Sequence, residues 1–239
     1  MDKPTLDALA ITAHRDDAEI ICGGTLIKLI DKGKKAGILD LTEGEMGSKG
    51  TAEDRERDSI EAAKSMGLSW RGNLSLPDSG IEVTRENKLK IAQVIRKFKP
   101  ELIILPIWAQ RHPDHLAASQ LGYDACFLAG LKKLEIDDEP HRPRKIIYAS
   151  SYRDMKHSFF VDITGQMSRK LDAVAAYKSQ FDDTPSAREI FKPGVDIFEF
   201  MTTTAKYYGQ LVGVEYAEAF TTKENILIDD PLGMPVRSI

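Results

Sequence analysis

Cysteine is scarce in this chain: Cys22 and Cys126 are the only two in 239 residues. A pair so far apart supplies neither a disulfide framework nor a cysteine zinc cluster. An excess of one charge is lacking too. Lys plus Arg total 33 against 37 Asp plus Glu, a formal charge of −4, so no basic block offers itself to nucleic-acid phosphates. No uncharged apolar run reaches the ~18 residues of a membrane helix. The start, MDKPTLDALA, lacks the basic-then-apolar layout of a signal peptide. G-x-G-x-x-G, G-x-x-x-x-G-K-[ST] and G-x-S-x-G are all missing, which leaves dinucleotide binding, P-loop chemistry and a serine nucleophile without support. These absences predict a cytoplasmic protein with neither a membrane nor a nucleic-acid partner.

What is present is ample core, with 42% hydrophobic and 29% charged residues. The hydrophobic period alternates along the chain. Short apolar runs at 6–13, 36–42, 73–76, 101–106, 145–150 and 158–163 read as strands. Helical spacing is found at about 23–34, 51–66, 84–98, 115–133, 165–179 and 195–210. Thr51 with Asp54 opens the second helix and Gly67 closes it. Such alternation predicts right-handed βαβ units: a single Rossmann-like α/β domain, its sheet mostly parallel, with helices on both faces. Residues 132–144 read as a surface excursion, GEMGSKG (44–50) as a flexible rim loop, and about 221–239 as an extended tail.

Two stretches carry chemistry. Ala13-His14-Arg15-Asp16-Asp17 follows the first strand, and His112-Pro113-Asp114-His115 follows the fourth and opens a helix. Between them they hold three of the five histidines. In a Rossmann-type order, strands one and four flank the topological switch point, where ligands bind beyond the carboxyl ends of the strands. Imidazole and carboxylate suit a catalytic zinc with three protein ligands. His14, Asp17 and His115 make such a set, Asp16 is left over as a general base, and His112 faces the same cavity. The same donors also form the facial triad of a non-haem iron oxygenase. A sugar- or nucleotide-binding module without catalysis is the third reading.

The A-H-x-D-D and H-P-D-H motifs resemble those of the PIG-L/LmbE-like zinc N-deacetylases. The likeness extends through DLTEGEMGSKGTAEDR (40–55), NLSLPDSG (73–80), RHPDH (111–115) and GVEYAEAF (213–220). Within that family the chain is most similar to deacetylases of N-acetylglucosaminyl-malate, which serve bacillithiol biosynthesis. The resemblance implies one Zn2+ per chain, with Fe2+ an alternative, held by His14, Asp17 and His115. It implies that Asp16 is the base, that His112 stabilises the oxyanion or protonates the leaving amine, and that Asp114 orients His112. It further implies sugar contacts from Arg55 and Asp78, carboxylate contacts from Arg111 and Arg142, a small N-acetyl amino sugar as substrate, and a homo-oligomer. Arg15 stands where the family usually has proline; an inward guanidinium would pair with a substrate carboxylate, but an outward, solvated one is favoured, since zinc would repel an inward one.

Overall fold

The computed structural model describes residues 5–149, 156–181 and 196–236. Strand β1 (Ala8–Thr12) is apolar from Ala8 to Ile11 and wholly buried, as expected of a strand covered on both faces. It is followed by α1 (Asp17–Asp31), β2 (Ala36–Thr42), α2 (Ala52–Met66), β3 (Trp70–Leu76), α3 (Arg85–Phe98), β4 (Leu102–Pro106), α4 (Pro113–Ala129) and β5 (Lys145–Ala149). Then come β6 (Phe159–Asp162), α5 (Met167–Ala175), the single turn α6 (Lys178–Phe181), α7 (Ile197–Val212) and β7 (Ala217–Thr221). The strands form one seven-stranded sheet in the order β3-β2-β1-β4-β5-β7-β6.

From β3 to β5 the pairing is parallel, while β7 runs antiparallel to both β5 and β6. Successive side chains on a strand point to opposite faces. Leu9 and Ile11 of β1 therefore join Ile91, Ile95, Ile103 and Leu121 beneath α3 and α4. Ala10 joins Ile27, Ile38, Met66 and Ile104 beneath α1 and α5. Strand β1 has β2 on one side and β4 on the other, with Ala10 opposite Ile104. The chain turns away in opposite directions from these two neighbours, so a crevice opens where both strands end. No helix among the described residues is long and apolar enough to cross a membrane.

The expected single α/β domain and mostly parallel sheet are observed. Residues 150 and 195 and residues 237–239 of the expected elements lie outside the described residues. Three differences have physical causes. Helix α1 begins at Asp17, not Gly23, and runs through the glycine pair. Gly24 is required there by packing, because a Cβ would lie 2.8 Å from the Ile163 side chain. The Glu218 carboxylate also accepts from the mid-helix amides of Gly24 and Thr25, at 2.9 and 2.7 Å, and from Lys170 at 2.5 Å. The second difference is β7 itself, five buried residues that bring Glu218 to that helix. Third, the segment expected to be a single helix at 165–179 is a 3-10 turn (Thr164–Gln166), then α5, then α6.

The excursion at 132–144 is tied down by one buried side chain. Arg96, 2% exposed, donates to the carbonyls of Ala129, Leu131, Leu134, Ile136 and Asp138. It thereby satisfies orphan carbonyls at the end of α4 and fixes the loop beyond it. Arg96→Met strands those acceptors, and a loss of about 3 kcal/mol in urea unfolding is expected. A change within about 0.5 kcal/mol, the range of a surface substitution, would show that the loop holds itself.

Candidate active site and metal centre

The two motifs meet across the crevice. His14 Nδ1 lies 3.4 Å from Asp17 Oδ2 and 3.3 Å from His115 Nε2. His115 Nε2 is 3.2 Å from Asp17 Oδ1. Donors about 2.0–2.1 Å from a tetrahedral ion stand about 3.3–3.4 Å apart. The two ring nitrogens and the Asp17 carboxylate, one oxygen of which faces each ring, thus lie at separations that a metal's ligands can adopt, and their types suit zinc or iron. Helix α1 supplies Asp17 from its first turn, and α4 supplies His115 from its own.

The far side of the His14 ring is held equally firmly. Its Nε2 faces Asp78 Oδ1 at 3.2 Å and Asp114 Oδ2 at 3.3 Å. Carboxylates there keep the proton on Nε2 and turn the Nδ1 lone pair towards Asp17 and His115. Burial opposes a charge on His14, but Asp114, Asp17 and Asp78 outweigh it and raise its pKa to about 12, so metal binding would have to displace a proton from Nδ1 before its lone pair could serve. Asp78 falls to about 2: burial opposes the charge, and His14 and the Met46 amide overcome it. Asp17 is likewise driven low, because His115 and His14 override its burial.

Two further groups line the same crevice. Asp16 sits at φ 113° and ψ −28°, a left-handed backbone that non-glycine residues seldom adopt. Burial first, then the charge of Asp17, raises its pKa to about 7, with Arg55 and His14 opposing. His112 caps α4, its Nδ1 accepting from the Asp114 amide at 3.2 Å. A neutral ring so held carries its proton on Nε2. Burial and the neighbouring His14 and His115 lower its pKa, which favours that neutral form.

The crevice encloses about 210 Å³, and Arg55, Asp78, Arg111 and Gln180 stand along its walls. Arg55 passes under the loop at 44–50. A Cβ on Gly44 or Gly47 would collide with its guanidinium, which is why small residues recur there. Gln180, 1% exposed, accepts from Arg55 and donates to the Lys49 carbonyl at 2.7 Å. Sequence reading misses Gln180, which has no motif to announce it. Asp78, besides bracing His14, accepts from the Met46 amide at 3.0 Å and so anchors the same loop.

Three sequence expectations need correction. Arg15 is buried, not solvated, and donates to Ser59 Oγ at 3.1 Å on α2, outside the crevice lining. Asp114 makes its hydrogen bond to His112 through its backbone amide; its carboxylate bonds to His14 and to the amides of Ser79 (2.7 Å) and Ile81 (3.3 Å). Arg142 is not at the crevice. It packs over the Phe127 ring, 4.8 Å from the centroid, in a separate groove.

Comparison with known proteins decides the lineage. The family model of GlcNAc-PI de-N-acetylase (PIG-L) matches residues 9–126. The diacetylchitobiose deacetylase of Thermococcus kodakarensis is 33% identical over 225 residues, 88% of this chain and 80% of that protein. The chain belongs to the PIG-L family. Among solved structures, the conserved protein TT1542 of Thermus thermophilus superposes with a TM-score of 0.86 at 40% identity, covering 96% of this chain and all of that one. The N,N'-diacetylchitobiose deacetylase of Pyrococcus horikoshii, bound to an inhibitor, gives 0.77 at 28% identity, covering 89% of this chain and 82% of that one. The PIG-L match spans β1 to most of α4, the stretch that holds both motifs. As a PIG-L enzyme the protein is a hydrolase of amide bonds.

Proposed function

We propose that this PIG-L enzyme removes the acetyl group from a small N-acetyl amino sugar, with N-acetylglucosaminyl-malate its substrate in bacillithiol biosynthesis. The observation that carries the proposal is the triangle of His14, Asp17 and His115, with Asp16 and His112 in the same crevice. We take Zn2+ as the ion, one per chain, with Fe2+ tolerated by the same donors. When bound, zinc supplies Lewis acidity, which acidifies a water and polarises an amide carbonyl.

The protein's own groups do the rest. Asp16 takes the proton of the attacking water. His112 donates from Nε2 to the oxygen that gains charge in the tetrahedral intermediate. A proton from Asp16 or His112 then releases the amine, leaving acetate and the free amino sugar. Arg55, steadied by Gln180, contacts the sugar together with Asp78. Arg111, at the crevice wall, takes the carboxylates of a malate aglycone. Asp16 favours hydrolysis over the oxygenase reading of the same triad, since an oxygenase has no use for a base there. We assign the reaction to the cytoplasm, where the two buried free cysteines stay reduced.

The substrate is tested by acetate release from N-acetylglucosaminyl-malate, N,N'-diacetylchitobiose and N-acetylglucosamine, using zinc-loaded and chelator-stripped protein. Zinc-dependent release with the highest kcat/KM on the malate conjugate is expected. Preference for diacetylchitobiose would move the specificity to that of the archaeal relatives and leave the chemistry intact. Equal release with and without metal would overturn the metal-dependent mechanism.

A further inference from the structure

Just beyond β4, Trp108 stands on the loop that carries Gln110, Arg111 and His112 towards α4. Both ends of this loop are fixed. The Ile107 amide donates to the Ala149 carbonyl at 2.9 Å, and His112 is held by its cap bond from the Asp114 amide. Gln110 and Arg111 line the catalytic crevice, whereas Trp108 is not part of that lining.

Trp108 is instead one wall of an aromatic box. Its ring meets that of Tyr148 on β5 edge-on, with centroids 4.7 Å apart. The Lys223 ammonium lies 5.1 Å from the centroids of both rings and 4.0 Å from that of Tyr123 on α4. All three separations are within the ~6 Å reach of a cation–π attraction, which is strongest on tryptophan. Lys223 makes no ion pair among the described residues, so its charge is met by ring faces. Trp108 is 42% exposed, so burial alone does not fix its ring. The buried Tyr148 hydroxyl has no hydrogen-bond partner among the described residues, so ring packing orients that side chain.

The backbone that delivers the cation is itself tied down. Beyond the end of β7, the Thr222 amide donates to Ser158 Oγ at 3.1 Å, and the Thr222 hydroxyl to the Glu224 carbonyl at 2.8 Å. A charge on a fixed stem thereby joins α4, β5 and the catalytic loop. We infer that Lys223 is a positioning residue: its ammonium, boxed by Trp108, Tyr123 and Tyr148, holds the loop so that Arg111 stands at the crevice wall. The inference rests on the reading of Arg111 as the contact for a substrate carboxylate. His112 has its own anchor in the helix cap. Loss of the box therefore weakens recognition and spares the chemistry.

The test is steady-state kinetics of metal-loaded Lys223→Met on N-acetylglucosaminyl-malate. Beside it, Trp108 emission is read in a Trp70→Phe background, where Trp108 is the sole indole. Methionine keeps the stem and removes the charge, and unchanged thermal unfolding establishes that the fold is intact. KM is expected to rise roughly three- to tenfold, the weight of a cation–π contact between its exposed and desolvated limits. The kcat stays within about twofold of the parent, as loss of uniform binding requires. Trp108 emission shifts and becomes more open to acrylamide. Lys223→Arg, whose guanidinium also lies on aromatic faces, restores both readouts. Combined with Arg111→Ala, Lys223→Met raises KM no further, because the two act through one contact.

A parental KM for Lys223→Met, where Arg111→Ala raises it, overturns the inference and leaves the carboxylate contact standing. So does a KM effect that persists undiminished in the Arg111→Ala background, or a loss confined to kcat. Arg111→Ala without effect on KM removes the carboxylate contact, and the inference falls with it. Emission is read without substrate, so an unmoved Trp108 overturns the inference whatever the substrate proves to be.

Discussion

Asp16→Asn keeps its metal and its fold and loses roughly 10²–10⁴-fold in kcat, the usual weight of a general base. Asparagine matches the carboxylate in size and is, with aspartate, among the few residues that tolerate a left-handed backbone. At φ 113° the substitution therefore changes the proton chemistry and spares the turn. The ligand triangle is built from neighbouring side chains and survives. The measurement is single-turnover acetate release on protein whose metal content has been determined by elemental analysis. Turnover within a few-fold of the parent, at full metal occupancy, would remove Asp16 from the reaction. Loss of the metal together with the activity would mean that Asp16 supports the ligands rather than the water.

His14→Ala acts at an earlier point and loses the metal itself. Its Nδ1 is one corner of the triangle, and its Nε2 is the group on which Asp78 and Asp114 converge. Removal leaves Asp17 and His115 as a two-donor site and two carboxylates without the ring N–H on which they converge. Metal affinity is expected to fall by more than the roughly 10–100-fold that follows loss of an outer carboxylate partner. Asp78→Asn and Asp114→Asn should show that smaller loss. The ordering of the three variants, read by competition with a chromophoric chelator, is the informative result. Equal affinities for His14→Ala and the parent would refute the ligand set. Losses as large for Asp114→Asn as for His14→Ala would promote Asp114 from brace to ligand.

Much of this site is legible in the sequence because its signals are local. A histidine and two acids directly after an apolar run place donors at the end of a strand, whatever the rest of the chain does. The boundaries of β2 and α2 follow in the same way, from continuous apolarity and from the capping pair Thr51 and Asp54 with Gly67. Strand β7 is hard to see in the sequence because Ala217, Glu218 and Ala219 carry little hydrophobic signal; pairing with β5 and β6 makes it a strand. The start of α1 is misleading because glycines suggest a boundary, whereas here Gly24 admits Ile163 at close range. Arg15 reads as an outside residue because charge is usually solvated. A hydroxyl on α2, out of reach of any local pattern, draws it in.

By itself the sequence determined the fold class, the two strand-end motifs and the donor types, since period and chemical type belong to residues near one another in the chain. Only the tertiary structure decided which face of Asp114 does what, that Arg142 belongs to another groove, and that Gln180 holds Arg55 across 125 residues of sequence. The physical reason is the range of the forces involved. Hydrogen bonds act within about 3 Å, so they form only after the core has brought distant segments into contact.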